Sequence, residues 1–256
     1  MIFHQPPVRT LRRSSDLGFR WCGAWAIDAS PRDVSRPVFL DDLGAFDRRC
    51  WVDNRLNIWL GAPREDDLPG LLAGIADCER DDVTSLLHPA DRAVRAAGRG
   101  VARWLLSRLL DCAPVDVAIF RGPHGKPLLD CKRHGLAAHS LHFNVSHVRG
   151  LVAVAIGPAP LGVDIELVRT FPDMQLVARQ HFAPEMLGPW EATMDQEERT
   201  AHFYRFWTLG EAFIKATGQG LSQNFRSFAF PAKGEPRLLR VDDRWGPPSR
   251  WSFGIF

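Results

Sequence analysis

Two carboxylates stand two residues apart in Gly162-Val-Asp-Ile-Glu166. The apolar residues around them predict a strand, in which side chains alternate between faces. Asp164 and Glu166 then point the same way, with Cα atoms roughly 7 Å apart. Like charges on one face repel unless a cation joins them, and a hard divalent ion such as Mg²⁺ suits paired carboxylates. Two solvated acids on an exposed edge strand are the plainer alternative. A second group lies in Phe206-Trp-Thr-Leu-Gly-Glu-Ala-Phe-Ile-Lys-Ala-Thr-Gly-Gln-Gly-Leu221. Phe206, Leu209, Phe213 and Ala216 form the buried stripe of a helix, while Glu211 and Lys215 stand one turn apart on another face. As a surface ion pair the two contribute only about 0.2–0.5 kcal/mol. As site residues, Glu211 is a third carboxylate for the metal and Lys215 a phosphate ligand. Gly218 and Gly220 end the helix and allow close backbone approach.

Two further segments carry polar chemistry. In Phe143-Asn-Val-Ser-His147 the Ser146 and His147 pair falls where a strand meets a turn. Neighbours on a strand point to opposite faces, so a direct Ser–His relay has poor geometry. No G-x-S-x-G elbow occurs in the chain. Phosphate or ribose contacts by the hydroxyl and imidazole fit better, against the alternative of a core histidine. In Gly122-Pro-His-Gly-Lys-Pro127, Gly125 permits a bend and Lys126 is expected at the loop tip, as a phosphate contact or an ordinary turn lysine.

The elements that must position these residues follow from periodicity. Asn57–Leu60 reads as a strand and Leu71–Cys78 as a short helix. His88-Pro-Ala-Asp91 starts a helix over Arg92–Leu110, with Val94, Val101, Leu105, Leu106 and Leu109 at helical spacing. Arg92, Arg95, Arg99 and Arg103 share one stripe of it. That stripe is either a solvated face or a contact for phosphate or an acidic partner. Val115–Phe120 alternates as a strand, and Leu141–Val145 and Leu151–Ile156 are strands around a 146–150 turn. After a Gly157–Pro160 linker come a strand over Gly162–Leu167, a helix over Met174–Phe182, another starting at Ala183-Pro-Glu185 and a long helix over Gln196–Thr217. Phe228–Phe230, Leu238–Val241 and Trp251–Ile255 are expected to close the fold as strands. Strand, short helix, Pro turn with a histidine and long helix therefore occur twice. This predicts an α+β fold of two pseudo-symmetric halves, 51–157 and 161–256. Residues 1–50, broken by Pro6, Pro7, Pro31 and Pro37, read as an N-terminal extension of short strands or a wrapped segment.

The composition narrows the function classes. The 256 residues are 45% hydrophobic and 24% charged, which is globular. A net charge of +2 argues against a general nucleic-acid binder. No apolar run is long enough to span a bilayer, and no secretory signal is visible. The five cysteines form no C-x-x-C pair, as expected for reduced thiols in the cytoplasm. Of the 32 basic residues only Lys126, Lys132, Lys215 and Lys233 are lysines, which points to an ammonium being required at some of these positions.

Gly-Lys-Pro, Asn-x-Ser-His, Gly-Val-Asp-x-Glu and Trp-x-x-x-Glu-Ala-x-x-Lys-x-x-Gly-x-Gly-Leu occur in that order. In this order and spacing the chain, from about residue 55 onward, resembles the 4'-phosphopantetheinyl transferase superfamily, in its long, two-halved Sfp type. The resemblance implies that fold, and transfer of the phosphopantetheine arm of coenzyme A to a serine of an apo carrier protein. The carrier would be an acyl, polyketide or peptidyl carrier, and adenosine 3',5'-bisphosphate would be released. It implies Asp164, Glu166 and Glu211 around Mg²⁺, with Glu166, Glu211 or Lys215 assisting proton transfer. Lys126, Ser146, His147 and Lys215 match its coenzyme-binding positions, and Arg95 is the stripe residue best suited to join them. Both halves lie in one chain, so a monomer is expected. Gly210 stands where the family's helix motif has lysine. It removes a charge near the phosphates and weakens the helix by about 1 kcal/mol. Val148 follows His147 where the family often has Ser, and Glu79–Asp82 is acidic where relatives are often basic. A catalytically weakened coenzyme A or carrier-binding module on the same fold is the alternative; a metal-dependent phosphodiesterase is a third reading.

Overall fold

The computed structural model describes residues 20–29, 38–39, 56–62, 68–135, 139 and 141–256. The chain divides into two compact units. The described residues of the first lie within 33–120 and 128–158, and those of the second within 19–32, 121–127 and 159–256.

In the first unit the order is β2 (Val38–Phe39), β3 (Asn57–Gly61), α1 (Leu68–Ala73), α2 (Asp77–Thr84) and α3 (Pro89–Leu110). A hairpin of β4 (Ile119–Arg121) and β5 (Pro127–Leu129) follows, then the short α4 (Cys131–His134), β6 (His142–Val148) and β7 (Leu151–Gly157). Among the described residues its main sheet has the order β2-β3-β7-β6. Helix α3 begins with Pro89 at its first turn and ends at Asp111, whose left-handed φ of 55° stops the helix. Ala96, Ala97, Gly98 and Gly100 let it lie close; a Cβ on Gly98 would come within 2.9 Å of Val145 Cγ1. Its Val94, Val101, Leu105, Leu106 and Leu109 pack with Phe143, Val152, Val154 and Ile156. Each such fully buried Val or Leu contributes about 1.5–3 kcal/mol.

The second unit is built on β8 (Leu161–Leu167), α5 (Met174–His181), α6 (Pro184–Ala192), α7 (Gln196–Thr217) and β9 (Ser252–Ile255). Its central strand comes from the start of the chain: β1 (Trp21–Ile27) lies between β8 and β9, antiparallel to both. Reading 1–50 wholly as an extension is therefore corrected: the continuous apolar run of 21–27 completes this sheet, and much of the remainder lies outside the described residues. Asp195 caps α7 by accepting from the Glu198 N–H at 2.7 Å, and Gly218 ends it at a φ of 74°. Its Phe206 and Phe213 are fully buried, as are Phe182, Phe228 and Phe230 of the same core.

Each unit thus runs strand, two short helices and a helix of 22 residues. Leu71–Cys78 is not one helix, because α1 ends at Ala73 and α2 starts at Asp77. Residues 115–120 are split between a 3₁₀ turn over Pro114–Asp116 and β4. Phe228–Phe230 and Leu238–Val241 make only an isolated bridge, Ala229 to Arg240.

Candidate active site

Strand β8 and helix α7 carry the acids. Asp164 pairs across the sheet with Ala24 and Glu166 with Cys22, so the two carboxylates share one face as their alternation requires. Gly162 lets the helix cross directly over the strand: a Cβ there would stand 2.1 Å from the Ala212 carbonyl oxygen and 2.6 Å from the Ala216 nitrogen. Lys215 Nζ then reaches Asp164 Oδ1 at 2.6 Å and donates to the Val163 carbonyl at 3.2 Å. Asp164 is 4% exposed, so this is a partly desolvated ion pair rather than a surface one. The i,i+4 pairing expected for Glu211 and Lys215 is overtaken by a closer partner on the strand.

The remaining acids feel that centre. Burial first, and then the Asp164 charge, push the Glu166 carboxyl up to about 7, against the pull of Lys215 and of the nearby Trp207 indole. Burial and Asp164 raise Glu211 as well, with Lys215 opposing. Trp207, Glu211 and Lys215 follow each other at four-residue steps along α7, which is why all three meet β8. Reading the sequence for charged groups passes over Trp207, although its place on that stripe was visible. Cys22 was also missed as a neighbour. Burial, with the Asp164 and Glu166 charges, pushes its thiol up to about 12, so it remains a neutral thiol beside the acids.

Three carboxylates against one ammonium leave excess negative charge in a half-buried site. Among the described residues no three His, Cys, Asp or Glu are already gathered as a cage. The donor set of hard oxygens with uncompensated charge nevertheless suits a hard divalent cation. A raised carboxyl pKa means that the folded state holds its proton more tightly than the unfolded chain. The associated stability is greatest below the ordinary value of 4.5 and declines as pH rises toward about 7. Metal-free protein should therefore lose Tm between about pH 5 and pH 7.5, and Glu166→Gln should flatten that slope. Thermal melts across this range check it; an identical slope in the variant would assign the effect elsewhere.

Lys126 is not presented at a loop tip. Its Nζ donates to the carbonyls of Leu161 at 2.9 Å and Ala216 at 3.1 Å, and burial lowers its pKa to about 8. One ammonium thus ties the start of β8 to the last turn of α7. The strand β6 extends through Val148, so Ser146 and His147 lie within it rather than in a turn, and only Arg149 and Gly150 make the hairpin loop. Ser146 is buried and His147 is exposed on the opposite face of the strand. Both belong to the first unit, as does Arg95.

The arginine stripe is neither wholly solvated nor wholly available. Arg103 is 3% exposed; it pairs with Glu79 at 2.5 Å and donates to the Pro114 and Val117 carbonyls. Arg99 bonds the Glu79 carbonyl and Asp82 Oδ2. The acidic 79–82 stretch therefore serves to neutralise two arginines of α3. Arg95 is half-buried, and its Nε meets no hydrogen-bond partner among the described residues.

Comparison with known proteins matches both units. Residues 160–254 fit the family model described as the 4'-phosphopantetheinyl transferase superfamily, and residues 59–158 that of the 4'-phosphopantetheinyl transferase N-terminal region. HetI of Nostoc sp., a 4'-phosphopantetheinyl transferase, is 29% identical over 198 residues, 76% of this chain and 81% of HetI. The protein slr0495 of Synechocystis sp., provisionally given the same name, is 34% identical over 168 residues, 64% of this chain and 65% of its own length. The transferase Sfp of Bacillus subtilis is 29% identical over 151 residues, 59% of this chain and 63% of Sfp. The matched region thus spans slightly less than two thirds of the Synechocystis and Bacillus proteins.

Proposed function

The chain belongs to the 4'-phosphopantetheinyl transferase superfamily, and from that membership we propose that it moves the phosphopantetheine arm of coenzyme A onto a serine of an apo carrier protein. The observation that supports the reading is the Lys215–Asp164 pair between α7 and β8, with Glu166 and Glu211 both raised by burial and by the Asp164 charge, inside the region matched by the superfamily model. In the reaction the serine oxygen forms a bond to the phosphorus bearing the pantetheine arm. The bond from that phosphorus to the adenosine bisphosphate oxygen breaks, and adenosine 3',5'-bisphosphate leaves. No nucleophile is needed from this chain, only positioning, charge and a proton acceptor.

Asp164, Glu166 and Glu211 would hold Mg²⁺, which when bound offsets charge on the phosphate oxygens. Glu166 and Glu211 are the candidates for accepting the serine proton. Lys215 keeps Asp164 in place and supplies a fixed positive charge for the phosphates. The Lys126 ammonium is engaged by two carbonyls and supports this site through the backbone. In the first unit, Ser146 and His147 would be coenzyme contacts by the family resemblance, with Arg95 the arginine suited to join them. No helix among the described residues is long and apolar enough to cross a membrane. As part of the same proposal, the enzyme works in the cytoplasm as a monomer on carriers of fatty-acid, polyketide or nonribosomal-peptide type.

Intact-mass spectrometry of an apo carrier incubated with the protein, Mg²⁺ and coenzyme A tests the reading. The expected result is a gain of one phosphopantetheine arm that requires Mg²⁺. Coenzyme A binding without any gain across carriers of all three types would overturn it in favour of a binding module.

A further inference from the structure

Position 210 is where this chain departs from its family's helix motif, and the departure is filled by another residue. Gly210 is buried on α7. A Cβ there would lie 2.0 Å from Phe225 Cζ, 2.5 Å from Cε1 and 2.8 Å from Cε2. The Phe225 ring therefore rests on the bare backbone of the helix. Phe225 is itself 5% exposed and begins a 3₁₀ turn over Phe225–Ser227, with Asn224 accepting from the Arg226 N–H at 2.9 Å.

The seat places that ring against Trp207, three residues earlier and on the same side of the helix. Phe225 and Trp207 stack with centroids 5.3 Å apart and planes 19° apart. The indole also stacks with Phe203, at 5.9 Å and 8°. His181 meets both Trp207 and Phe225 edge-on, at 5.7 and 6.2 Å. The indole plane is thus fixed by two stacked rings and one edge, and its influence on the neighbouring Glu166 carboxyl places it beside that acid. The first two links are direct contacts, Gly210 admitting Phe225 and Phe225 stacking on Trp207, and Glu166 is the acid that the indole then borders.

We infer that Gly210 and Phe225 form a positioning pair that fixes the Trp207 indole, and through it the Glu166 carboxylate. Gly210 is the opening that this arrangement requires, rather than a lysine lost from the site. A lysine at 210 would expel the ring, since its Cβ already overlaps Phe225. The catalytic consequence rests on the transferase reading; the packing consequence does not.

Two readouts separate them. The first is structural and needs no substrate: ¹⁹F NMR of protein labelled with 5-fluorotryptophan, the Trp207 resonance being assigned by its loss in Trp207→Phe. Phe225→Leu should move that resonance and Phe225→Tyr should return it close to its original place. The second is kinetic. Phe225→Leu should lower kcat about ten- to a hundredfold with the coenzyme KM within about twofold, and Phe225→Tyr should recover most of the rate. Gly210→Lys should lower kcat, and Gly210→Ala, which adds only the overlapping methyl, should do so less severely. If Phe225→Leu fails to fold, Gly210→Ala carries the same two readouts. An unmoved Trp207 resonance, or a Gly210→Lys enzyme as active as the parent, overturns the inference. A wild-type protein without transfer activity whose Trp207 resonance still responds would instead overturn the transferase reading and leave the packing pair standing.

Discussion

Replacement of Glu211 by Gln is expected to abolish transfer while leaving the fold intact and coenzyme binding partly preserved. The change keeps the shape of the side chain and removes one of three carboxylates that face a single ammonium. Burial and the Asp164 charge already disfavour the ionised Glu211 in the folded protein, so the amide relieves a cost and Tm should hold or rise. Catalysis has no such relief. A site that must gather a divalent cation and stabilise charge on phosphate oxygens loses a ligand, and with it a candidate proton acceptor. A fall of roughly a thousandfold or more is expected, which is about 4 kcal/mol of transition-state stabilisation. An intact-mass time course gives the rate, calorimetry the coenzyme affinity and a thermal melt the fold. Turnover within about tenfold of the parent at unchanged Mg²⁺ would remove Glu211 from the site.

Gly162→Ala should be the second large effect, and it acts through backbone rather than charge. The added methyl would come 2.1 Å from the Ala212 oxygen, 2.6 Å from the Ala216 nitrogen and 2.8 Å from Lys215 Cβ. Two of these atoms are main chain of α7 and cannot swing aside as the end of a flexible side chain can. Strand β8 and helix α7 must separate, and they carry Asp164 and Glu166 on one side and Glu211 and Lys215 on the other. Overpacking of this kind costs about 1–3 kcal/mol. In a protein of this size that corresponds to a Tm lower by roughly 2–4 °C for each kcal/mol. A displacement on the order of 1 Å at the site costs about a hundredfold in rate. Gly188→Ala is the matching control, since it lies in α6 with nothing within 4 Å of its added Cβ and should be neutral or mildly stabilising. Parental Tm and kcat in Gly162→Ala would show that strand and helix do not need this close approach.

Much of this site could be read from the chain alone, for a definite reason. The shared face of Asp164 and Glu166 follows from a period of two, and the stripe of Glu211 and Lys215 from a period of 3.6. Those periods belong to the backbone and need no knowledge of distant residues. The same local rules placed the long helix at 196–217, where it is found, and put Ser146 and His147 on opposite faces of a strand.

What periodicity cannot supply is the identity of the facing partner. It put four arginines on one stripe of α3, but not Glu79 and Asp82 against Arg103 and Arg99. It made Lys126 a turn residue, but not the tie between the carbonyls of Leu161 and Ala216, 35 and 90 positions away. It saw a missing charge at Gly210, where the folded chain has the ring of Phe225. Nor does the strand at Trp21–Ile27 announce locally that its partners start at residues 161 and 252. Helix and strand character is settled within a few residues by repeating backbone geometry. Pairing across the fold is settled by which distant surfaces bury each other, and for this chain that decided what holds Asp164, Glu166, Glu211 and Lys215 together.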